Sequence, residues 1–490
     1  MSLSPVWKRR LWIAAAALGV FVAVAGTTVW WKFFREVDDG PWHSAEERFK
    51  YGSIGGEAKA GLPYWIWVVL PRVFPDKLPP GGGGYAAFGI PWEQGHEMPV
   101  GFTKKTVGFP RVANNCAICH VGTFRTAPDQ TPTMIPAGPN NTGNIQAVLR
   151  FLSDCANDPR FNADTLMPEI QKHAGLGFLD QLAWRYLIIP QTQKALAARG
   201  PQFAWMNRPH WPEWGPGRDD PMNLTKYFMT TLPVDNTVGQ ADFPSIWNLG
   251  LREGKFLNWG GETPSPRSVI IDSALGLQAN PKTVVANAAW IEDYLKQKRA
   301  PKYPYPIDAA LAAKGKPIFD AQCNNCHGTG AGTRVGQIID VREVGTDDNR
   351  LITWTAQAAQ IANQAVAKVG VDRIPITKPS INGYQAVPLD GIWMRAPYLH
   401  NGSVPNLTDL LEPPEKRSKA FYRGYDVYDP VKVGFDTESE QARLHGFRLD
   451  TAERGNGNQG HLYGTTLTPA EKKALIEYLK TIGPVEGSEI

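Results

Sequence analysis

The chain has 490 residues, more than one ordinary hydrophobic core accommodates, so two domains are expected. Its 51 basic and 47 acidic residues leave a net charge of only +4, which gives no indication of a nucleic-acid-binding protein. The 48 glycines and 41 prolines predict a fold that is mainly α with extensive loops.

The first predicted element is a membrane-spanning helix over residues 11–31. This uncharged apolar run is long enough to cross a bilayer of about 30 Å. The basic residues at 8–10 should stay in the cytoplasm, as a stub of residues 1–10, which places the rest of the chain in the periplasm of a bacterium. The alternative is a signal peptide cleaved near Ala25, which would release the protein into the periplasm or secrete it. Both interpretations export the remainder of the chain.

A first predicted domain occupies residues 36–300. Its segment 61–92 is apolar, but Pro63, Pro71, Pro75, Pro79 and Pro80 interrupt it, which predicts packed extended chain rather than a long helix. The stretch Cys116–His120 reads C-x-x-C-H, the attachment pattern of a c-type haem, in which both thiols form thioethers and the histidine ligates the iron. The apolar periodicity downstream predicts the helices 143–156, 176–189 (closed by Pro190) and 284–297.

The sixth ligand of this first iron does not follow from the sequence. The candidates in the region are His173, His210 and several methionines, of which His210 is the best, but none lies in a pattern that marks an axial ligand. We therefore expect an open or water-filled position, as reactions of peroxide or dioxygen require.

The second predicted domain, residues 301–490, follows a proline-rich linker and has the layout of a small cytochrome c. A helix over 309–321 leads into a second C-x-x-C-H motif, Cys323–His327, whose two thiols are Cys323 and Cys326. The chain ends in a helix over 469–482 that begins with a capping box. The glycine-rich loop before this helix contains His461, the predicted axial ligand, with Met394 as the alternative. The fifth cysteine, Cys155, is expected to be a buried apolar residue.

These motifs predict two cytochrome c-like haem domains, preceded by one transmembrane helix, with two covalently bound haem c groups. The first haem is attached through Cys116, Cys119 and His120, and the second through Cys323, Cys326 and His327. Two histidines would saturate the second iron and suit it to electron transfer, with His461 across the haem from His327.

Residues 391–403 (GIWMRAPYLHNGS) and 460–465 (GHLYGT) carry a family resemblance. They resemble the bacterial di-haem cytochrome c peroxidase superfamily, and within it most closely the di-haem rubber oxygenase (RoxA-like) branch. The resemblance covers about residues 60–490. It implies two cytochrome c-like domains, a reactive N-terminal haem whose proximal ligand is His120, and a second haem ligated by His327 and His461.

The resemblance also implies roles for three side chains and one ion. Phe243 corresponds to a distal phenylalanine near the reactive iron, and His400 to a histidine that forms hydrogen bonds near the haems. Arg395 either pairs with a haem propionate or is structural. Calcium between the domains is possible by analogy, but no acidic loop has a suitable spacing. The chain is shorter than the rubber oxygenases, and its segment 258–263 only partly matches theirs, which weakens any transfer of polymer cleavage.

The sequence thus predicts a membrane-anchored periplasmic di-haem oxidoreductase that activates peroxide or dioxygen at the N-terminal haem. Peroxidase and oxygenase chemistry both remain open. Its electron donor would be a small redox protein or a quinone chain. The alternative is a membrane-tethered electron carrier without catalysis, in which both irons have six ligands.

Overall fold

The structure is a computed structural model that describes residues 4–81, 83–230 and 232–483. As predicted, it is mainly helical with long connecting loops. The longer α-helices are Pro5–Phe33, Tyr64–Val73, Ile145–Ala156, Ala163–His173, Ile189–Phe203, Pro266–Gly276, Val284–Gln297, Ala309–Gln322, Ala356–Lys368 and Pro469–Lys480. The shorter ones are Ala45–Tyr51, Glu57–Ala60, Phe178–Ala183, Pro221–Leu224, Asn324–His327, Val341–Val344, Asn349–Thr353, Leu407–Leu410 and Glu440–His445.

The β-structure consists of small antiparallel sheets at the loop ends. The largest has three strands in the order Leu62–Pro63, Phe109–Asn114, Phe102–Val107. The others are two-stranded and pair Val121–Phe124 with Thr133–Pro136, Arg218–Asp219 with Ala241–Asp242, Ile338–Asp340 with Gly383–Gln385, Ala420–Arg423 with Phe447–Asp450, and Tyr428–Asp429 with Gly434–Phe435. These short pairs fix the loops that surround the site described below.

Within the described part of the chain, Pro5–Phe33 is the one helix that is long and apolar enough to cross a membrane. It begins before the predicted span because Ser4 caps it, with the Ser4 hydroxyl accepting from the backbone N–H of Trp7. None of its residues is buried against the rest of the protein. A signal sequence has the same properties, so the helix agrees with both interpretations of the N-terminus.

Helices with strong local signals lie where the sequence predicts them. Val284–Gln297 has the predicted bounds, and Ala309–Gln322 is one residue longer than predicted. The last helix, Pro469–Lys480, has the predicted capping box, in which the hydroxyl of Thr468 accepts from the N–H of Glu471 and the Glu471 carboxylate accepts from the N–H of Thr468.

The prediction of extended chain over 61–92 is wrong, because Tyr64–Val73 forms a helix that contains Pro71. A proline in a helix has no N–H to donate to the carbonyl four residues earlier. Here that carbonyl belongs to Trp67, and it accepts a hydrogen bond of 2.9 Å from the hydroxyl of Tyr85. A contact from a distant tyrosine therefore replaces the hydrogen bond that Pro71 cannot make.

Pro190 does not close a helix over 176–189 as predicted. The helix Phe178–Ala183 continues through a π-helical turn, Trp184–Ile188, into Ile189–Phe203. Pro190 lies at the start of that last segment, where a missing N–H is tolerated next to the wider turn. The predicted helix 143–156 is present as Ile145–Ala156, and Cys155 is buried there as expected.

The hydrophobic core is continuous across residue 300, where the sequence predicts a domain boundary. One cluster of buried side chains contains Ile118 and Trp247 from the first half and Trp393 from the second. The ring of Trp393 packs edge-on against Phe124, with ring centroids 5.3 Å apart. Ion pairs also join the halves, a buried one between Arg423 and Asp242 and a half-buried one between Arg125 and Asp426.

The helices Ala309–Gln322 and Pro469–Lys480 pack closely at Gly315. A Cβ atom at position 315 would lie 1.9 Å from the carbonyl oxygen of Ala474, closer than any side chain allows. We expect Gly315→Ala to lower the free energy of unfolding by about 3 kcal/mol or more, the upper range for overpacking. Denaturant unfolding measures this, with Gly276→Ala as the matched control, since position 276 is also helical and has only ordinary contacts. Equal stability of the two variants would contradict the close packing.

Candidate functional site

The first C-x-x-C-H motif forms a tight turn between two strands. Cys116–Ile118 is a 3-10 turn that follows Phe109–Asn114, and Asn115 caps it by accepting from the N–H of Ala117 at 2.9 Å. The turn places the thiols of Cys116 and Cys119 on the wall of a large internal cavity. Burial raises the pKa of the Cys116 thiol to about 11 and holds that of Cys119 well above its usual value, so both side chains are neutral thiols in this apolar wall.

His120 faces the same cavity, and its ring is held by a backbone carbonyl. Its Nδ1 lies 3.0 Å from the carbonyl oxygen of Pro244, in a loop over residues 244–252 that we call the first proximal loop. Burial lowers the pKa of His120 to about 4, so the imidazole is neutral. A neutral imidazole that donates from Nδ1 leaves the Nε2 lone pair free, which is the usual arrangement of a metal-ligating histidine.

The second motif repeats this arrangement. The short helix Asn324–His327 follows Ala309–Gln322 and turns Cys323, Cys326 and His327 towards the cavity. The Nδ1 of His327 lies 2.7 Å from the carbonyl oxygen of Val387, in a loop over residues 387–395 that we call the second proximal loop. Burial lowers the pKa of His327 as well, so both motif histidines are neutral and present Nε2.

His461 lies across the cavity from His327, with ring centroids 6.3 Å apart. One metal ion fits between two imidazoles at this separation, with bonds of about 2 Å to each ring. The backbone fixes His461, since its N–H donates to the carbonyl of Val344 and its carbonyl accepts from Arg417. Burial, assisted by the charges of His327 and Arg417, lowers the pKa of His461 to about 3. The imidazole of His461 is therefore neutral, as a metal ligand must be, and it faces His327, the histidine predicted to share its iron.

The alternative ligand, Met394, is placed elsewhere. Its side chain is fully buried next to Gly122, and it is not among the residues that line the cavity. Met394 therefore cannot reach the iron predicted at His327, and this alternative is corrected in favour of His461.

Phe243 packs beside His120 rather than across an iron from it. The two ring centroids are 6.2 Å apart, and an iron about 2 Å from Nε2 would leave about 3 Å to the phenyl centre, less than carbon atoms allow. The next residue, Pro244, accepts the Nδ1 hydrogen bond on the side of His120 that faces away from Nε2. The predicted distal position of Phe243 is therefore corrected to the proximal wall. His210, the candidate sixth ligand, is exposed and does not line the cavity.

His400 is buried and already engaged in hydrogen bonds. Its Nε2 lies 2.9 Å from the hydroxyl of Tyr384, which donates in turn to the carbonyl of Asp347 at 2.7 Å. Burial and the charge of Arg350 hold the pKa of His400 well below its usual value, so the ring is neutral. His400 lines the cavity with this nitrogen occupied, and its role next to the haems stays a prediction.

Arg395 also lines the cavity, but two of its nitrogen atoms have protein partners. Its Nη1 donates to the carbonyl of Pro388, and its Nη2 pairs with Asp390 at 2.9 Å. Its buried Nε has no partner within the described part of the chain, which leaves one N–H for an acceptor in the cavity such as a propionate. The structural and the propionate-binding interpretations of Arg395 are thus compatible.

The cavity has a volume of about 980 Å³ and contains both motifs, His400 and His461 in one connected space. Its wall is mostly apolar, which suits a porphyrin, and its neutral histidines and unpartnered donors match the iron and carboxylates of that group. The residues present therefore fit haem at each motif. No group of three or more His, Cys, Asp or Glu side chains suited to a metal ion occurs among the residues that the structure describes.

Several charged residues of the cavity wall were not predicted, among them Arg350, Glu262 and Asp219. Arg350 pairs with Glu262 at 3.0 Å on the cavity wall, and both side chains are almost fully buried. Asp219 lines the wall near Cys119, and burial together with the charge of Asp220 raises its pKa to about 7. Glu262 belongs to the segment 258–263, which partly matches the rubber oxygenases. That match was the only local feature of the sequence that could have indicated any of these three residues as part of the site. The others have no motif and are brought together by the fold.

Comparisons with known proteins identify one domain. A family model described as RoxA-like, cytochrome c-like matches residues 383–422, which include the second proximal loop and His400. Two curated relatives come from Sinorhizobium fredii (strain NBRC 101917 / NGR234). Uncharacterized protein y4iJ is 32% identical over 256 residues, 38% of this chain and 41% of the relative. Uncharacterized protein y4iM is 29% identical over 287 residues, 49% of this chain and 64% of the relative.

The chain thus spans 41% and 64% of the lengths of these two relatives, whose printed names state no activity. The family match is local, but it coincides with the loop that holds His327 and with the predicted APYLHNGS segment. Residues 383–422 therefore match a RoxA-like, cytochrome c-like domain, and a domain of this kind implies haem c as a cofactor and suggests a haem-binding cytochrome.

Proposed function

We propose that this protein is a membrane-anchored periplasmic cytochrome with two haem c groups, one attached at each C-x-x-C-H motif. The helix Pro5–Phe33 would hold it in the bacterial inner membrane as a single-pass anchor. The haem at Cys323–His327 transfers electrons, and the haem at Cys116–His120 activates peroxide or dioxygen. The electron donor would be a small redox protein or the quinone chain of the same membrane.

The observation that carries this proposal is the unequal surroundings of the two motif histidines. Four histidines line the cavity. His327 faces His461, and His400 is bonded to Tyr384, which leaves His120 without a histidine partner. A haem iron with one protein ligand has a position for a small molecule, whereas one with two histidines does not.

In this proposal, the haem at His120 supplies an iron that binds and activates the oxidant. The protein contributes a neutral proximal imidazole, which the Pro244 carbonyl orients, and a largely apolar wall that limits access of water. A peroxidase also needs an acid–base residue. Asp219 is the candidate, since its carboxyl group lines the cavity near Cys119. An oxygenase does not require that residue, so peroxidase and oxygenase chemistry both fit the site.

A second candidate function is electron transfer without catalysis. It is favoured by Met222 and Met229, which line the same cavity and are of the residue type that completes many cytochrome irons. If either sulfur occupied the sixth position at His120, no open iron would remain.

Carbon monoxide binding distinguishes the two functions. We expect the purified, reduced full-length protein to contain two haems per chain by the pyridine haemochrome assay and to bind one carbon monoxide per chain. The control is the variant Cys116→Ala/Cys119→Ala, which should retain one low-spin haem and bind no carbon monoxide. A wild-type spectrum that carbon monoxide leaves unchanged would show two saturated irons and support the electron carrier.

A further inference from the structure

The two proximal loops, which hold the motif histidines, are joined to each other. Nδ2 of Asn248 in the first loop donates to Oδ2 of Asp390 in the second at 2.6 Å, and both side chains are buried. The carbonyl groups that orient His120 and His327 therefore belong to one connected structure. Any charged group at this junction lies close to both predicted haem sites.

Arg252, at the end of the first proximal loop, is such a group. Its side chain lines the cavity, and the residue is 7% exposed. One nitrogen, Nη1, has a long contact of 3.5 Å with the carbonyl of Ser245, while Nε and Nη2 are buried and have no hydrogen-bond partner among the residues that the structure describes. Buried guanidinium groups are stable only when their N–H groups find acceptors, and the polypeptide alone does not supply enough acceptors for Arg252.

The charged residues nearest to Arg252 do not supply the missing acceptors. Arg252 and Arg395 both lie within electrostatic reach of Asp390, and they repel each other. Asp390 already pairs with Arg395 and accepts from Asn248. Two buried cations thus share one carboxylate, and Arg395 also has an unpartnered Nε. The arrangement lacks a negative charge, and its free donors face the cavity.

We infer that Arg252, together with the Nε of Arg395, binds a haem propionate at the junction of the two proximal loops. The guanidinium group matches a carboxylate because its paired N–H groups donate to both oxygens at once. A propionate bound here would turn the carboxylate edge of a haem towards the loop of the other motif. This inference rests on the proposed function, since it requires haem at the motifs, and it adds a positioning residue that no motif contains.

A buried arginine next to a propionate should raise the reduction potential of that haem. The electron added on reduction is stabilised by a nearby positive charge, and the low polarity of the cavity strengthens this interaction. Removing the charge should therefore lower the potential. A tenfold change in the reduction equilibrium corresponds to about 59 mV for one electron.

The test is a redox titration of the full-length protein in detergent, followed by haem absorbance. We expect Arg252→Leu to keep two haems per chain, because the thioether bonds remain. The variant should lower one midpoint potential by about 59 mV, which corresponds to a tenfold change in the reduction equilibrium constant. Arg299→Leu is the matched control, because Arg299 also bonds Asn248 but is exposed and lies outside the cavity. Its potentials should equal those of the wild type.

Further measurements separate the possible failures. If Arg252→Leu does not fold, Arg252→Lys is the alternative variant, because it keeps the positive charge but lacks the paired N–H groups of the guanidinium. The propionate bending band in its resonance Raman spectrum should then shift. Unchanged potentials in Arg252→Leu, or an unchanged band in Arg252→Lys, would overturn the inference. A shift that appears only on addition of phosphate or acetate would indicate a free anion and also overturn it. A wild-type protein with fewer than two haems would instead refute the proposed function.

Discussion

Replacing His461 by alanine should convert one haem of the protein from low-spin to high-spin and raise carbon monoxide binding from one to two molecules per chain. The ring of His461 faces that of His327, with centroids 6.3 Å apart, and Met394 does not line the cavity and so is not placed to replace it. Without His461 the second iron keeps one protein ligand, and its sixth position opens. Electron paramagnetic resonance and optical spectra of the purified variant measure the change.

The matched control is His445→Ala. His445 is exposed, and its ring stacks on Tyr425 away from the cavity, so its loss should leave the spectra unchanged. The variant His461→Met is a complementary test, because a methionine at this position should also ligate the iron. The second haem should then stay low-spin, with a higher reduction potential than two histidine ligands give. If His461→Ala kept the wild-type proportion of low-spin haem, another residue would have to ligate the second iron.

The largest expected loss of stability follows from breaking the buried pair of Arg350 and Glu262. The Nη1 and Oε1 atoms lie 3.0 Å apart, and the side chains are 3% and 4% exposed. Arg350→Leu leaves the Glu262 carboxylate buried without its counter-charge, which typically costs about 3–5 kcal/mol. Denaturant unfolding in detergent should show this as a marked fall in the midpoint concentration.

Two variants make the stability measurement specific. Arg342→Leu removes an arginine from an ion pair in which that side chain is 87% exposed, and such pairs contribute about 1 kcal/mol or less. The double variant Arg350→Leu/Glu262→Leu removes both buried charges and should recover most of the loss. Equal midpoints for Arg350→Leu and Arg342→Leu would mean that the buried pair does not stabilise the fold.

Features with a local cause could be predicted from the sequence. The helices Val284–Gln297 and Pro469–Lys480 follow from apolar periodicity and from the capping box at Thr468. The two C-x-x-C-H motifs are likewise encoded within five residues each, and both line the cavity. His461 was predicted from its glycine-rich loop, because few other residue types in that loop can ligate iron.

Features that depend on distant contacts could not be predicted. Pro71 is compatible with a helix only because the hydroxyl of Tyr85 satisfies the carbonyl of Trp67. The distal position of Phe243 was inferred from resemblance, and only the hydrogen bond between Pro244 and His120 shows which side of the imidazole it occupies.

The charged residues of the cavity wall have the same origin. Arg252, Arg350 and Asp219 stand alone in the sequence, and each becomes part of the site only through chain segments that meet in the fold. No periodicity or spacing connects them to the C-x-x-C-H motifs, so sequence reasoning had no signal for them.

The continuous core has a consequence for how far an electron must travel. Because buried packing and the pair of Asp242 with Arg423 tie the halves together, the separation of the two motifs does not depend on the conformation of the 299–306 segment between them. Tunnelling rates fall steeply with distance, so a donor and an acceptor on a flexible tether exchange electrons at a spread of rates. Two haems fixed in one packed interior would instead exchange electrons over a single distance, set by side-chain packing.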